Sequence, residues 1–213
     1  MKSERTVFAG VRGAFCKIPA ELRKAETVIA CDRGWQYAEK LGVVPNLIVG
    51  DFDSSSLPET NIPVERVPTR KDDTDTMLAA KRAMELGYTD IAICCAFGGR
   101  LDHTFANIQT AAYLVAHGAQ VHLVGTDTDA LVFSEGVRHI SRREGWSLSV
   151  FALSDRCEGL TIRGTKYECE GVTLTNAFPL GVSNVWEADE AEISVRSGIL
   201  MVMQSKLKKG EHI

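Results

Sequence analysis

The chain has no excess of basic charge. Its 24 Lys and Arg stand against 28 Asp and Glu, a formal net charge of −4. Nucleic-acid binders carry a basic footprint, so no nucleic-acid partner is expected. Long apolar runs are missing as well. No stretch approaches the roughly 18 residues of a membrane span, and the opening MKSERTVFAGVRG holds no signal-peptide core. A cytoplasmic protein with no membrane attachment is the expectation. Cysteines are present but unpatterned. Cys16, Cys31, Cys94, Cys95, Cys157 and Cys169 form no CxxC pair, so they read as reduced, mostly buried thiols rather than bridges or zinc ligands. There is no GxGxxG, no GxxxxGK[ST], no GxSxG and no HExxH. A dinucleotide fingerprint, a P-loop, a nucleophile elbow and a zincin helix all go unsupported. No internal repeat or low-complexity tract appears.

What remains is an ordinary globular composition. The 213 residues are 45% hydrophobic, enough for one large domain or two small ones. In the first half, short apolar runs alternate with helical patterns. Strands are expected at Thr6–Val11, Thr27–Cys31, Asn46–Gly50, Val64–Val67, Asp90–Phe97 and Ala119–Val124. Helices are expected over Gly34–Leu41, over Thr74–Leu86 with Asp72 or Asp73 as N-cap, and from Asp102 or His103 to about His117. That alternation predicts an α/β domain with a mostly parallel, Rossmann-like sheet. After Gly125 the pattern becomes short alternating segments separated by Gly, Ser, Asn or Asp, which predicts an antiparallel β-sandwich. Residues 1–126 and 127–213 are the expected domains.

The aspartates fall where strands end. Asp32 follows the second strand, Asp51 and Asp53 the third, Asp72, Asp73 and Asp75 the fourth, and Asp102 the fifth. In a parallel sheet these ends share one edge, where ligands of open α/β sheets bind. Crowded carboxylates repel, and a hard divalent cation such as Mg²⁺ resolves the repulsion while bridging to phosphate. Any single aspartate here reads first as a cap or a turn residue; the joint recurrence points to a metal–phosphate site. Gly98-Gly99-Arg100 adds a close backbone approach and a forked phosphate donor, or else a tight turn. His103 reads as a helix-start residue or a proton shuttle. In the second half, Ser183-Asn184-Val185-Trp186 offers a ring for stacking beside polar groups that read an edge; the alternative is a core tryptophan.

The ordered set ACDRGW, VGDFDS, KDDTDTMLAA, FGGRLDHTFANI, GTKY and SN, spanning about residues 27 to 205, resembles the thiamine pyrophosphokinase family. The resemblance implies an α/β domain followed by a β-sandwich, and a homodimer with active sites between subunits. It implies transfer of pyrophosphate from ATP to the hydroxyethyl oxygen of thiamine, giving thiamine diphosphate and AMP, with Mg²⁺. It implies that Asp51, Asp53 and Asp75 hold the metal, with Asp72 beside them. Asp32, Gly98, Gly99, Arg100, Asp102 and His103 would then serve nucleotide and phosphate, and Ser183, Asn184 and Trp186 would line the thiamine pocket. The chain departs from the family pattern at Arg33, where glycine is common, at Val185 in place of the glutamate of SNE, and in GTKYEC for GLKYPL. Two other readings stay open on the residues: a phosphotransferase for another alcohol such as a pterin, and a non-catalytic protein that binds thiamine or its diphosphate.

Overall fold

The computed structural model describes residues 5–8, 14–16, 25–32, 34–52, 59–68, 72–211 and 213. Two compact units divide the chain, Met1–Thr126 and Asp127–Ile213. In the first, β1 (Arg5–Phe8), β2 (Val28–Cys31), β3 (Leu47–Gly50), β4 (Val64–Arg66), β5 (Asp90–Cys94) and β6 (Gln120–Val124) alternate with α1 (Gly34–Lys40), α2 (Asp75–Glu85) and α3 (Leu101–Ala116). The strand order is β4-β3-β2-β1-β5-β6, and every ladder among them is parallel. β2 is buried along its whole length and β5 along all but its first residue. Such continuous burial is what a parallel strand covered on both faces requires.

The helices are shaped by small residues and by their ends. α2 buries Thr76, Ala79, Ala80 and Ala83, a stripe at helical spacing with no bulky side chain. Its N-cap is Thr74, whose Oγ1 accepts from the Met77 amide at 3.1 Å. The expected caps, Asp72 and Asp73, are displaced because Asp73 is engaged elsewhere: both its oxygens accept from Lys81 Nζ, at 2.8 and 3.0 Å. That bond holds the Lys81 ammonium above its ordinary pKa. α3 starts at Leu101, one residue earlier than expected, and its buried face is Asn107, Thr110, Ala111, Leu114 and Val115. Gly87 and Gly118 follow the two helices in left-handed conformations that let the chain turn back.

The second unit contains β7 (Thr128–Phe133), β8 (Gly136–Ser141), β9 (Trp146–Ala152), β10 (Arg156–Arg163), β11 (Cys169–Thr175), β12 (Glu190–Val195) and β13 (Leu200–Lys206). Within it the strand orders are β7-β13-β9 and β11-β10-β12-β8, all antiparallel. Alternate residues of both sets point into one core: Leu131 and Phe133, Leu148 and Val150, Leu160 and Ile162, Ala191 and Ile193, Leu200 and Val202. The period of two in the sequence is thus the inward face of each strand.

The turn between β12 and β13 is the tightest place in this unit. Gly198 has φ +99, and a Cβ there would lie 2.3 Å from the Arg156 carbonyl oxygen and 2.8 Å from Cys157 Cα. Both obstacles are backbone. Gly198→Ala is therefore expected to cost about 2–3 kcal/mol, from a strained φ plus the clash, read as a lower urea midpoint. An unchanged midpoint would contradict this packing.

Candidate active site

The carboxyl ends of the parallel strands come together on one edge. Asp32 directly follows β2, with φ +44 and its side chain almost wholly buried. Its amide donates to the Val49 carbonyl at 2.9 Å, so the turn after β2 is pinned to β3. Gly50 ends β3, and a Cβ there would lie 3.3 Å from both Cα and N of Asp32. Only a residue without a side chain fits that approach easily. Asp51 follows, half-buried, and then Phe52 at φ +55. The Val67 amide donates to the Gly50 carbonyl at 3.2 Å and draws in the end of β4. Two non-glycine residues in the left-handed region at neighbouring strand ends are unusual, and such strain concentrates at functional sites. Asp53 lies outside the described residues.

The turn from β5 into α3 is built from left-handed residues: Cys95 at φ +58, Gly98 at +87 and Gly99 at +69. A Cβ on Gly98 would meet Ala14 Cβ at 2.8 Å, and the Ala14 amide donates to the Phe97 carbonyl at 3.1 Å. Arg100 is the extended N-cap residue of α3. Its Nε donates to Asp102 Oδ1 at 3.0 Å and its NH2 donates to Asp102 Oδ2, a forked pair on the surface. The Asp102 Oδ1 also accepts from the His103 amide at 2.9 Å. The guanidinium contact, helped by that amide, holds the Asp102 carboxyl below its ordinary pKa. Arg100 is thus already oriented by a carboxylate in the geometry that a phosphate would take.

Asp75 opens α2, and Asp72 is exposed just before it. Asp73 is in the ion pair with Lys81. Among the described residues no three His, Cys, Asp or Glu form a metal-holding group. Asp51 and Asp75 nevertheless supply carboxylate oxygen alone, the donor chemistry that suits a hard cation.

In the second unit the structure separates the three residues expected to line a pocket. Ser183 is exposed, with φ +61, and its amide donates to Ser149 Oγ at 3.0 Å. Asn184 is buried, and all four of its amide valences are used. Nδ2 donates to Thr165 Oγ1 and the Tyr167 carbonyl at 3.0 and 2.8 Å. Oδ1 accepts from the Tyr167 and Val185 amides, both at 3.0 Å. Trp186 belongs to the core, 5% exposed, with Nε1 donating to the Ile140 carbonyl at 2.9 Å. Its ring is core packing, and Asn184 is a clamp on the chain around Tyr167. A cavity of about 300 Å³ opens beside this clamp, lined by Leu160, Tyr167, Glu168, Cys169, Val182 and Asn184 among others. Tyr167 and Val182 are half-exposed there. Sequence reasoning passed over Val182 and Glu168, and gave Tyr167 no role.

Comparison with known proteins bears on both units. The sequence profile of the thiamin pyrophosphokinase catalytic domain matches residues 18–123. That of the thiamin pyrophosphokinase vitamin B1 binding domain matches residues 138–200. The thiamine pyrophosphokinase of Bacillus subtilis is 28% identical over 184 residues, covering 83% of this chain and 86% of that protein. A crystal structure of thiamine pyrophosphokinase from Bacillus subtilis superposes with a TM-score of 0.81 at 26% identity, covering 97% of this chain and all of that one. A thiamin pyrophosphokinase family protein from Enterococcus faecalis gives 0.80 at 26% identity with the same coverage.

The Arg100–Asp102 pair makes a direct prediction. Arg100→Gln removes the main cause of the lowered Asp102 pKa, so the Asp102 titration midpoint should rise, measured by carboxyl carbon NMR. The sign follows from the direction of the shift. The pair's contribution is present above the ordinary carboxylate range and is lost as pH falls through the lowered midpoint. An unmoved midpoint in Arg100→Gln would mean that the pair does not persist in solution.

Proposed function

This chain belongs to the thiamin pyrophosphokinase family, and we propose that the acidic edge of its first unit is where ATP gives up its pyrophosphoryl group. The protein is a thiamine pyrophosphokinase: pyrophosphate passes from ATP to the hydroxyethyl oxygen of thiamine, giving thiamine diphosphate and AMP. The observation that carries the siting is the convergence of Asp32, Asp51 and the β5–α3 turn at aligned parallel strand ends. That strand order also supports reading the first unit as a Rossmann-like nucleotide domain.

The thiamine alcohol attacks the β-phosphorus and AMP departs. Gly98 and Gly99 let backbone approach the phosphates, and Arg100 exchanges its forked bonds to Asp102 for bonds to phosphate oxygens. Asp32 and His103 border this phosphate path. Asp51, Asp53 and Asp75 would hold Mg²⁺. Bound there, the ion supplies charge neutralisation on the phosphate oxygens. Asp72, exposed before α2, would accept the alcohol proton. Most of the rate comes from positioning and electrostatics, as in other phosphoryl transfers.

Thiamine would sit against the second unit at the Tyr167 cavity, with Ser183 at its rim, Asn184 shaping its wall and Trp186 behind it as core. The Glu168 carboxylate there favours a cationic thiazolium. Exposed Tyr167, Phe178, Leu180 and Val182 support a homodimer that covers this surface and completes the site from a second copy. No described helix is long and apolar enough to cross a membrane, and all six cysteines are thiols, in keeping with a reducing cytoplasm.

The test is a single reaction of purified protein, ATP, Mg²⁺ and thiamine, resolved by mass. AMP and thiamine diphosphate are expected; ADP and thiamine monophosphate would overturn the β-phosphorus alignment. Asp51→Asn should lower turnover by at least about 100-fold, as loss of a preorganised charge contact does, with an unchanged circular dichroism spectrum. Near-wild-type turnover would remove Asp51 from the site.

A further inference from the structure

The turn before Arg100 holds three left-handed residues in a fixed order, beginning with Cys95, whose amide donates to Cys16 Sγ at 3.3 Å. The Ala96 amide donates to the Val124 carbonyl at 2.9 Å, which ties the turn to the end of β6. The Ala96 carbonyl accepts from Asn107 Nδ2, also at 2.9 Å. The Phe97 carbonyl accepts from the Ala14 amide. Both peptide groups ahead of Gly98-Gly99 are therefore oriented from outside the turn.

Asn107 is a polar residue on the buried face of α3, itself only 5% exposed. Its acceptor residue, Ala96, is 1% exposed. A buried amide on a helix face that otherwise packs Ala111, Leu114 and Val115 is costly unless it is bonded. Here the bond runs from the helix to the turn that precedes it. Arg100 is the N-cap residue of that same helix, so the Asn107 side chain ties the segment ahead of the diglycine to the helix carrying the guanidinium.

We propose that Asn107 is a positioning residue for the triphosphate: through the Ala96 carbonyl it sets the Gly98-Gly99-Arg100 turn in its anion-binding form. This rests on the reading of that turn as the ATP phosphate site. Asn107 touches no substrate, and its effect passes through Arg100 and the two glycines.

The experiment is a double-mutant cycle read by calorimetric titration of MgATP into wild type, Asn107→Ala, Arg100→Ala and the double variant, with melting temperatures alongside. Asn107→Ala should weaken MgATP binding about tenfold, the scale of a misplaced binding group, and leave the KM for thiamine unchanged. In the Arg100→Ala background the same change should weaken binding by no more than about twofold, since the two act through one contact. Where Asn107→Ala does not fold, Asn107→Asp, which keeps the shape and loses the donor, carries the comparison. Wild-type affinity in Asn107→Ala or Asn107→Asp would overturn the proposal. So would additive losses accompanied only by a lowered melting temperature, which mark a purely structural role. If the wild type binds MgATP but forms no thiamine diphosphate, the catalytic reading fails while the binding cycle still decides Asn107. If it does not bind MgATP, both fall.

Discussion

The register of the parallel ladders gathers the candidate site. Phe8 pairs with Ala30 on one side and Cys94 on the other, Cys31 pairs with Val49, Gly50 with Arg66, and Cys94 with Val124. These strands are only three to five residues long, so their ends fall at nearly the same level. A slip of one residue would turn each side chain to the opposite face and carry Asp32 or Asp51 away from the edge. Gly50 sits tightly in that register, because a Cβ there would lie 3.3 Å from the backbone of Asp32. Close approach there joins a fold requirement to a chemical one.

Charge on that edge is arranged rather than merely accumulated. Several aspartates follow these strands, and close carboxylates repel one another. Two of them are held by cations of the chain itself: Asp73 by Lys81, and Asp102 by Arg100. Lys81 also stands 5.5 Å over the Tyr113 ring, which fixes it between α2 and α3. Both pairs are substantially exposed, so their worth lies in orientation more than stability. Asp51 follows β3 and Asp75 opens α2, each with the oxygen donors that suit a hard cation. Asp102 holds the Arg100 guanidinium in a forked pair at the start of α3.

The alternation of strands and helices in the first unit was legible from residues alone, because short apolar runs alternate there with helical patterns, whereas an aspartate after a strand also reads as a cap or a turn residue. Strand order was not legible; it needed the ladders. Asp72 or Asp73 fits a cap by residue type, yet Thr74 caps α2, because Lys81, two turns along the helix, holds Asp73. Trp186 looked available for stacking because its neighbours are polar, yet its indole N–H meets the Ile140 carbonyl and its ring fills the core. Asn107 left no signal in a pattern of apolar spacing, since its value depends on a carbonyl eleven residues back.

In the second unit one departure from the family pattern, Thr165, is bonded to an asparagine that the pattern shares. GTKYEC and SNV are far apart in sequence, but Thr165 pairs with Trp186 across an isolated bridge, and the Lys166 amide donates to the Val185 carbonyl at 2.9 Å. The Asn184 amide bonds Thr165 Oγ1, a hydroxyl that the leucine of GLKY cannot provide. Thr165 in turn donates to the Tyr167 carbonyl at 3.2 Å. Thr165 and Asn184 therefore satisfy one another, and their polar groups are spent inside the wall instead of facing the cavity. What faces it is mainly apolar surface with Tyr167 and a carboxylate, and Glu168 itself is anchored by the Gly164 amide at 2.6 Å. Substitutions at Thr165 and Asn184 should accordingly act as one unit, each exposing a buried polar atom of the other.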